Sequence, residues 1–124
     1  MAMNLRFCPA VMAALTMVAA GAHAQDAAKG EAVYEACIVC HKLQAASTEH
    51  GPTLIGIIGR KSGTLDDFRY SRALMRANIV WDEATLDAYL ADPQSYVAGM
   101  RMPFGVISDK AERTDLIAFL KTLR

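Results

Sequence analysis

Apolar residues recur at helical spacing in three segments of the chain, and no stretch of useful length alternates as a β-strand does. The first of these segments follows Asp26, which can cap a helix that runs to about Cys37. Gly30 lies inside it, where glycine costs about 1 kcal/mol relative to alanine. A glycine inside a helix suggests that another stretch of backbone approaches closely at that position. The apolar face of this helix is formed by Val33, Tyr34 and Cys37.

Two further helices are predicted in the second half of the chain. Asp82 can cap one of them, and Pro93 ends it one or two residues earlier because proline disfavours helical backbone in the residue before it. Ser108 can cap the last helix, which runs to about Leu123. The apolar faces contain Leu86, Tyr89 and Leu90 in the one, and Leu116, Phe119, Leu120 and Leu123 in the other.

The segments between these helices are long and rich in glycine and proline. Residues 42–63 and 93–107 are predicted to be mostly irregular, and a short helical turn is expected over residues 71–77. The predicted fold is therefore all-α, with three main helices, short helical turns and long loops. Loops of this length in so small a domain need something to wrap around.

Length and charge limit the possible functions. The chain has 124 residues, with 13 basic and 13 acidic side chains and no basic run, which suits one small domain. The balanced charge and the absence of a known recognition motif argue against a nucleic-acid-binding protein.

Residues 1–24 are predicted to be a secretory signal peptide, and residues 25–124 the functional domain. Arg6 gives a positive start, residues 11–22 are apolar, and Ala22-His23-Ala24 is a small-x-small cleavage site, so Gln25 should begin the mature protein. The apolar run is shorter than the roughly 20 residues that span a bilayer, which makes a retained anchor the minor alternative. The expected location is the periplasm. Cys8 and His23 would be removed with the signal.

The five residues Cys37-Ile-Val-Cys40-His41 carry the clearest chemical signal in the sequence. Each thiol can bond one vinyl group of a haem, and His41 would then lie beneath the iron as an axial ligand. A redox dithiol and half of a zinc site are the alternatives. No second Cys-x-x-Cys or His pair completes a zinc site, and no strand-then-helix pattern precedes Cys37 as a thioredoxin-like site requires.

A second axial ligand is needed on the opposite face of the iron if protein side chains fill both axial positions. The loop from Pro93 to Phe104 offers Met100 and Met102, whose thioether sulfur is a soft iron ligand. Either methionine could instead be flexible core filling. His50 lies close to the attachment site in sequence and is interpreted as a surface or hydrogen-bonding histidine.

An ordered set of further residues accompanies the attachment motif from about Asp26 to Leu123. With it, the chain resembles a small soluble class I cytochrome c, close to the mitochondrial type. The set comprises Gly30, Tyr34, Gly51-Pro52-Thr53-Leu54, Gly56, Gly59-Arg60, Gly63, Tyr70, Trp81, Leu86, Tyr89, Pro93, Gly99-Met-Arg-Met102-Pro-Phe104 and Asp115-Leu-Ile-Ala-Phe119-Leu120.

The resemblance implies one covalently bound haem c and a set of pocket residues. The family pattern Gly-x-x-Met falls on Gly99 and Met102, which makes Met102 the expected axial ligand and Met100 its competitor. The pocket roles implied are the Pro52 carbonyl as acceptor for the His41 ring, Tyr89 beside the Met102 sulfur, and Arg60, Tyr70 and Trp81 around a haem propionate. Met100 and Leu74 stand where the mitochondrial type has polar residues, so the hydrogen-bond networks there are left unassigned.

With both axial positions filled by protein, the expected function is one-electron transfer rather than catalysis. The expected partners are redox proteins bound transiently, such as a membrane cytochrome complex, a terminal oxidase or a soluble reductase, and the protein should be a monomer. The basic residues expected near the haem edge are Arg72, Arg76, Arg101 and Lys42. The alternatives are a haem protein with an open sixth site and a non-redox binding module in which the two cysteines are structural.

Overall fold

A computed structural model describes residues 23–124, in which five helices are joined by long loops. The predicted signal peptide lies outside the described residues, apart from its last two positions. The helices are α1 (Ala27–Tyr34), α2 (Arg72–Arg76), α3 (Glu83–Ala91), α4 (Pro93–Tyr96) and α5 (Lys110–Thr122). Between residues 23 and 124 the only extended pairing is one isolated antiparallel bridge between Lys61 and Val80. The predicted all-α fold is therefore confirmed.

Side-chain caps determine where most of these helices begin. The Asp26 carboxylate accepts the N–H groups of Ala28 and Lys29, and Ser71 caps α2 through the N–H of Leu74. Asp82 and Thr85 form a reciprocal capping box at the start of α3. These three start points agree with the sequence prediction.

Two helix ends differ from the prediction. Asp109, not Ser108, caps α5, because its carboxylate accepts the N–H of Glu112. The first helix ends at Tyr34 rather than near Cys37, since the bonds that follow tighten to three-residue spacing: Glu35 bonds back to Ala32. The cysteine motif thus begins in the turns beyond α1.

The first and last helices pack against each other at the position of Gly30. A β-carbon added there would lie 1.9 Å from the carbonyl oxygen of Asp115, closer than any side chain allows. The close approach of another backbone that the sequence predicted is thus present. The rings of Tyr34 and Phe119 meet beside this crossing, with 5.2 Å between their centroids. The shared core then continues through Leu86, Leu90, Leu116, Ile117 and Leu120.

Buried charges fix the edges of this core. The Arg113 guanidinium, 8% exposed, donates to Asp87 on α3 and to the carbonyl of Ile107. Asp115, 4% exposed, accepts the backbone N–H of Asp26 and lies 2.9 Å from the ring nitrogen of His23. Within the described part of the chain, no helix is both long and apolar enough to cross a membrane.

Candidate haem site

A cavity of about 1580 Å³ opens between the helices and the loops. Drug-sized ligands occupy pockets of roughly 300–1,000 Å³, so this cavity suits a larger, mostly apolar group. All nine residues predicted for the site line it: Cys37, Cys40, His41, Pro52, Arg60, Tyr70, Trp81, Tyr89 and Met102. Apolar side chains from the core complete the walls, among them Leu54, Ile57, Leu86, Leu90, Leu116 and Leu120.

The attachment motif is held in two tight turns that follow α1. Cys40 and His41 both bond back to the carbonyl of Cys37, at 3.1 and 2.8 Å. The Tyr34 hydroxyl donates to the carbonyl of His41 at 2.5 Å, and burial raises the pKa of Tyr34 to about 12, so this donor stays protonated. The side chains of Cys37 and Cys40 are half-buried on the cavity wall. Burial is the main cause that raises the pKa of the Cys37 thiol, and the neighbouring Cys40 raises it further.

The imidazole of His41 is oriented by the loop that follows the motif. Its Nδ1 lies 2.8 Å from the carbonyl oxygen of Pro52, the contact that the sequence predicted. Because a carbonyl only accepts, Nδ1 carries the proton and Nε2 is left as the metal-binding nitrogen. Burial lowers the pKa of His41, although the hydrogen bond to Pro52 opposes this effect. The lowered pKa favours the neutral form of the ring, which is the form that binds a metal.

A network of polar side chains holds the Pro52 loop in place. The Asp67 carboxylate accepts both the N–H and the hydroxyl of Ser47, each at 2.8 Å. The Ser47 oxygen in turn accepts the N–H of Thr53, the residue after Pro52. These contacts join segments 20 residues apart. These contacts could not be predicted from the sequence, because neither Ser47 nor Asp67 belongs to a recognisable motif.

Two methionine sulfurs flank one tyrosine hydroxyl on the cavity wall. The Tyr89 hydroxyl lies 3.6 Å from Met100 Sδ and 3.7 Å from Met102 Sδ. Met100 is 5% exposed, and its sulfur also accepts the backbone N–H of Met102 at 3.0 Å. Burial raises the pKa of Tyr89 to about 12, so its hydroxyl remains a donor. Tyr89 was predicted to lie beside Met102. The contact between its hydroxyl and the Met100 sulfur was not predicted.

Gly105 leaves room for the end of the Met102 side chain. Its φ of 120° lies in the region that favours glycine, and a β-carbon there would stand 2.6 Å from Met102 Cε. The Met102 side chain is half-buried and lines the cavity.

Arg60, Trp81 and Tyr70 lie together at another part of the cavity wall. The backbones of Arg60 and Trp81 are joined by a 2.9 Å hydrogen bond, and the Trp81 ring meets Tyr89 edge-on at 5.0 Å. The Arg60 guanidinium donates to the carbonyls of Thr53 and Ile55. Burial lowers the pKa of Arg60, and Tyr70 and Asp67 partly offset that effect. Arg60 thus stabilises the loop after Pro52 directly. This contact was not predicted from the sequence, which placed Arg60 only near a haem propionate.

Comparison with known proteins shows the family of the chain. The cytochrome c family model matches residues 27–124. The chain belongs to the cytochrome c family. It is 42% identical over 103 residues to cytochrome c2 of Blastochloris viridis, covering 82% of this chain and 81% of that protein. Cytochrome c2 of Rhodomicrobium vannielii is 40% identical over 113 residues, or 90% of each chain.

A solved structure of a related protein has the same fold. Cytochrome cH from Methylobacterium extorquens superposes with a TM-score of 0.74 at 42% identity, covering 78% of this chain and 98% of that one. Cytochromes c are electron carriers rather than enzymes and bind haem c covalently, and Cys37 and Cys40 have the spacing of that attachment motif. This cytochrome is therefore a haem-containing electron carrier, as its sequence predicted.

Proposed function

We propose that this cytochrome carries single electrons through one haem c bound to Cys37 and Cys40, with His41 and Met102 as the axial ligands of the iron. The observation that carries the proposal is the presence of both donors on one cavity. His41 presents an unprotonated nitrogen because Pro52 holds its other nitrogen, and Met102 presents a sulfur. When bound, the haem supplies a metal centre that can gain and lose one electron.

The contacts of the two sulfurs favour Met102 over Met100 as the ligand. Met100 Sδ accepts the N–H of Met102 and lies within contact of Tyr89 and of the Gln94 amide at 3.9 Å. Its lone pairs therefore face two N–H donors of their own, in addition to the Tyr89 hydroxyl, whose single hydrogen the two sulfurs share. Met102 Sδ has only that shared hydroxyl as a donor among the described residues, which leaves a lone pair for a metal. Soft sulfur favours the reduced iron and raises its potential.

Replacing each sulfur separately tests the ligand assignment. In haem-loaded Met102→Ala, carbon monoxide should bind the ferrous protein rapidly, and the reduction potential should fall. In the control Met100→Leu, which removes a sulfur from the same loop, carbon monoxide binding should stay slow and weak at neutral pH. Equal opening in the two variants, or opening in Met100→Leu alone, would show that the wrong sulfur was assigned.

The remaining pocket residues are proposed to exclude water and to orient the haem. Arg60, Tyr70 and Trp81 would surround a propionate, whose negative charge needs a nearby cation or donor when it is buried. Tyr89 would donate to the Met102 sulfur. The support for this is their common position on the cavity wall.

The proposed location is the periplasm, after cleavage behind Ala24. The proposed partners are a membrane cytochrome complex, a terminal oxidase or a soluble reductase, each bound transiently by the monomer. Cleavage there would remove His23 and its contact with Asp115, and the Asp26 N–H would remain as a partner of that carboxylate. Intact mass of the exported protein tests this: a chain that begins at Gln25 and carries one haem is expected, and a retained residue 1–24 segment would contradict it.

A further inference from the structure

Two sulfur atoms compete for one hydroxyl hydrogen on the wall of the candidate haem cavity. The Tyr89 hydroxyl lies 3.6 Å from Met100 Sδ and 3.7 Å from Met102 Sδ, so the two distances are nearly equal. A phenol has a single hydrogen to donate. A stronger hydrogen bond to one sulfur therefore means a weaker hydrogen bond to the other.

Burial and neighbouring groups hold these side chains in place. Tyr89 is 8% exposed and Met100 is 5% exposed, so little water reaches the hydroxyl or the Met100 sulfur. The Tyr89 ring makes edge-on contacts with the rings of Trp81 and Tyr96, whose centroids lie 5.0 and 6.3 Å away. In the part of the chain that the structure describes, the hydroxyl has no acceptor other than the sulfurs of Met100 and Met102.

The Met100 sulfur keeps a lone pair available for this hydroxyl. A thioether has two lone pairs, and one of them accepts the N–H of Met102 at 3.0 Å. The amide nitrogen of Gln94 approaches the same sulfur only to 3.9 Å, whereas the Tyr89 oxygen is closer, at 3.6 Å. Met100 is therefore an effective second acceptor for Tyr89.

Only one of the two sulfurs binds iron in the proposed function. Met102 gives one lone pair to the metal and keeps the other for the Tyr89 hydroxyl. A hydrogen bond to a metal-bound sulfur draws electron density away from the metal, which favours the iron of lower charge and raises its reduction potential. The share of the hydrogen bond that Met100 accepts does not have this effect, because the Met100 sulfur is not bound to the iron.

We propose that Met100 lowers the reduction potential of the haem by accepting part of the Tyr89 hydrogen bond that would otherwise go wholly to the ligand Met102. The inference rests on the proposed function, and it makes Met100 a positioning residue that acts through Tyr89. One electron is gained or lost at the iron, while the hydroxyl keeps its hydrogen and changes only how it is shared. Residue 100 is polar in the mitochondrial type, so this second sulfur is a feature of the present chain.

A second contact of Met100 acts in the opposite direction. Its sulfur accepts the Met102 N–H, and a loop that holds Met102 less firmly would weaken the bond to iron and lower the potential. A single substitution of Met100 measures both effects together. A double-mutant cycle with Tyr89 isolates the part that depends on the hydroxyl, and that part tests the proposal.

The test measures the reduction potentials of the wild-type holoprotein, Met100→Leu, Tyr89→Phe and the double variant. Leucine is close to methionine in volume, and phenylalanine keeps the ring and lacks only the hydroxyl, so all four should fold. A complete hydrogen bond contributes about fivefold to an equilibrium, and this one is shared, so we expect a difference of about threefold. Met100→Leu should raise the ratio of reduced to oxidised protein by that factor more in the wild type than in Tyr89→Phe. Threefold corresponds to roughly 30 mV, at about 59 mV per tenfold change for one electron.

Met75→Leu is the matched control, because Met75 is exposed and does not line the haem cavity. It should leave the potential unchanged. Equal effects of Met100→Leu in the two backgrounds would overturn the proposal, since the hydroxyl would then have no part in them. A rise that is larger in Tyr89→Phe than in the wild type would overturn it too.

The unsubstituted protein offers an independent measurement. In the reduced holoprotein, whose iron is diamagnetic when both axial positions are filled, proton NMR can observe the Tyr89 hydroxyl hydrogen. Nuclear Overhauser contacts to the side chains of both Met100 and Met102 are expected, and contacts to Met102 alone would overturn the sharing. The proposed function fails in a different way: slow carbon monoxide binding by Met102→Ala would refute the ligand assignment itself, whereas equal effects in the cycle would refute only the role of Met100.

Discussion

The backbone N–H of Met102 donates to the sulfur of Met100, with 3.0 Å between the nitrogen and Sδ. Residue 100 stands where the mitochondrial type has a polar side chain, and its hydrogen bonds could not be assigned from the sequence. The structure shows that the sulfur of Met100 itself serves as an acceptor. One methionine thereby holds the backbone of the other in the loop that presents Met102 to the cavity.

Met100→Leu keeps the apolar volume and removes this acceptor, so we expect it to weaken the hold on Met102 without opening the site. A hydrogen bond of this kind contributes about 1 kcal/mol, which corresponds to roughly a fivefold rise in imidazole affinity of the ferric holoprotein. Titration with imidazole, followed in the visible spectrum, measures it.

Met100→Gln provides the matched control, because glutamine is of similar length and has an amide oxygen that can accept the N–H. Its imidazole affinity should return toward that of the wild type. If leucine and glutamine raise the affinity equally, the packing of residue 100 is what matters, and the sulfur–amide bond does not hold the loop.

Gly30→Ala should destabilise the fold strongly, because the new methyl group would meet the backbone of Asp115 and the side chain of Phe119. Rigid backbone cannot move aside as a side chain does, so α1 and α5 must separate. Overpacking of this kind costs about 1–3 kcal/mol and occasionally more. Urea unfolding of the holoprotein measures the change.

Glu31→Ala is the control on the same helix, since residue 31 is exposed and alanine favours helix. Its free energy of unfolding should change by no more than about 0.5 kcal/mol. A Gly30→Ala protein as stable as Glu31→Ala would contradict the close approach of the two helices.

Most helix starts were predicted from local chemistry, although Asp109 rather than Ser108 caps α5, and several contacts between distant segments were missed. Asp26 and Asp82 cap helices within a few residues of themselves, so their roles could be predicted from the sequence alone, and the short turn at residues 71–77 was expected without its Ser71 cap. The site residues were predicted because they occur in an ordered family pattern. The pairs Ser47–Asp67 and Asp87–Arg113 are 20 and 26 residues apart, and no periodicity or spacing rule joins them. Such contacts exist only after the chain has folded.

Asp67→Ala should loosen the loop that carries Pro52. The substitution removes the carboxylate oxygens that accept the N–H and the hydroxyl of Ser47. The Ser47 oxygen is then held less firmly in the position where it accepts the N–H of Thr53. Amide hydrogen exchange at residues 47–53 should accelerate severalfold, since each lost hydrogen bond favours local opening. The exchange of α5 amides should not change.

Asp66→Ala removes the same charge from the neighbouring exposed position, and no side-chain hydrogen bond of Asp66 is present in the described structure. It should leave the exchange of the Pro52 loop unchanged. Acceleration in both variants would attribute the effect to charge rather than to the contact with Ser47.

Asp87 should make stability depend on pH on the acid side. The hydrogen bond from Arg113 is the main cause that lowers the pKa of this carboxyl, with Lys110 contributing and burial opposing. A depressed pKa means that the folded state binds the proton less readily than the unfolded state. The stabilisation is therefore fully present above the unfolded pKa of about 3.9 and is lost as the pH falls through the lower folded value.

Asp87→Asn should consequently reduce stability near neutral pH and flatten its decline in acid. Hydrogen bonds to charged groups contribute about 1.5–3 kcal/mol, so the free energy of unfolding should fall by that order at pH 7. At pH values below the folded pKa of Asp87 the variant and the wild type should converge, because the carboxyl is then neutral in both states. Urea unfolding of both holoproteins across this range measures the difference. A constant gap between them at every pH would mean that the ion pair with Arg113 does not contribute through its charge.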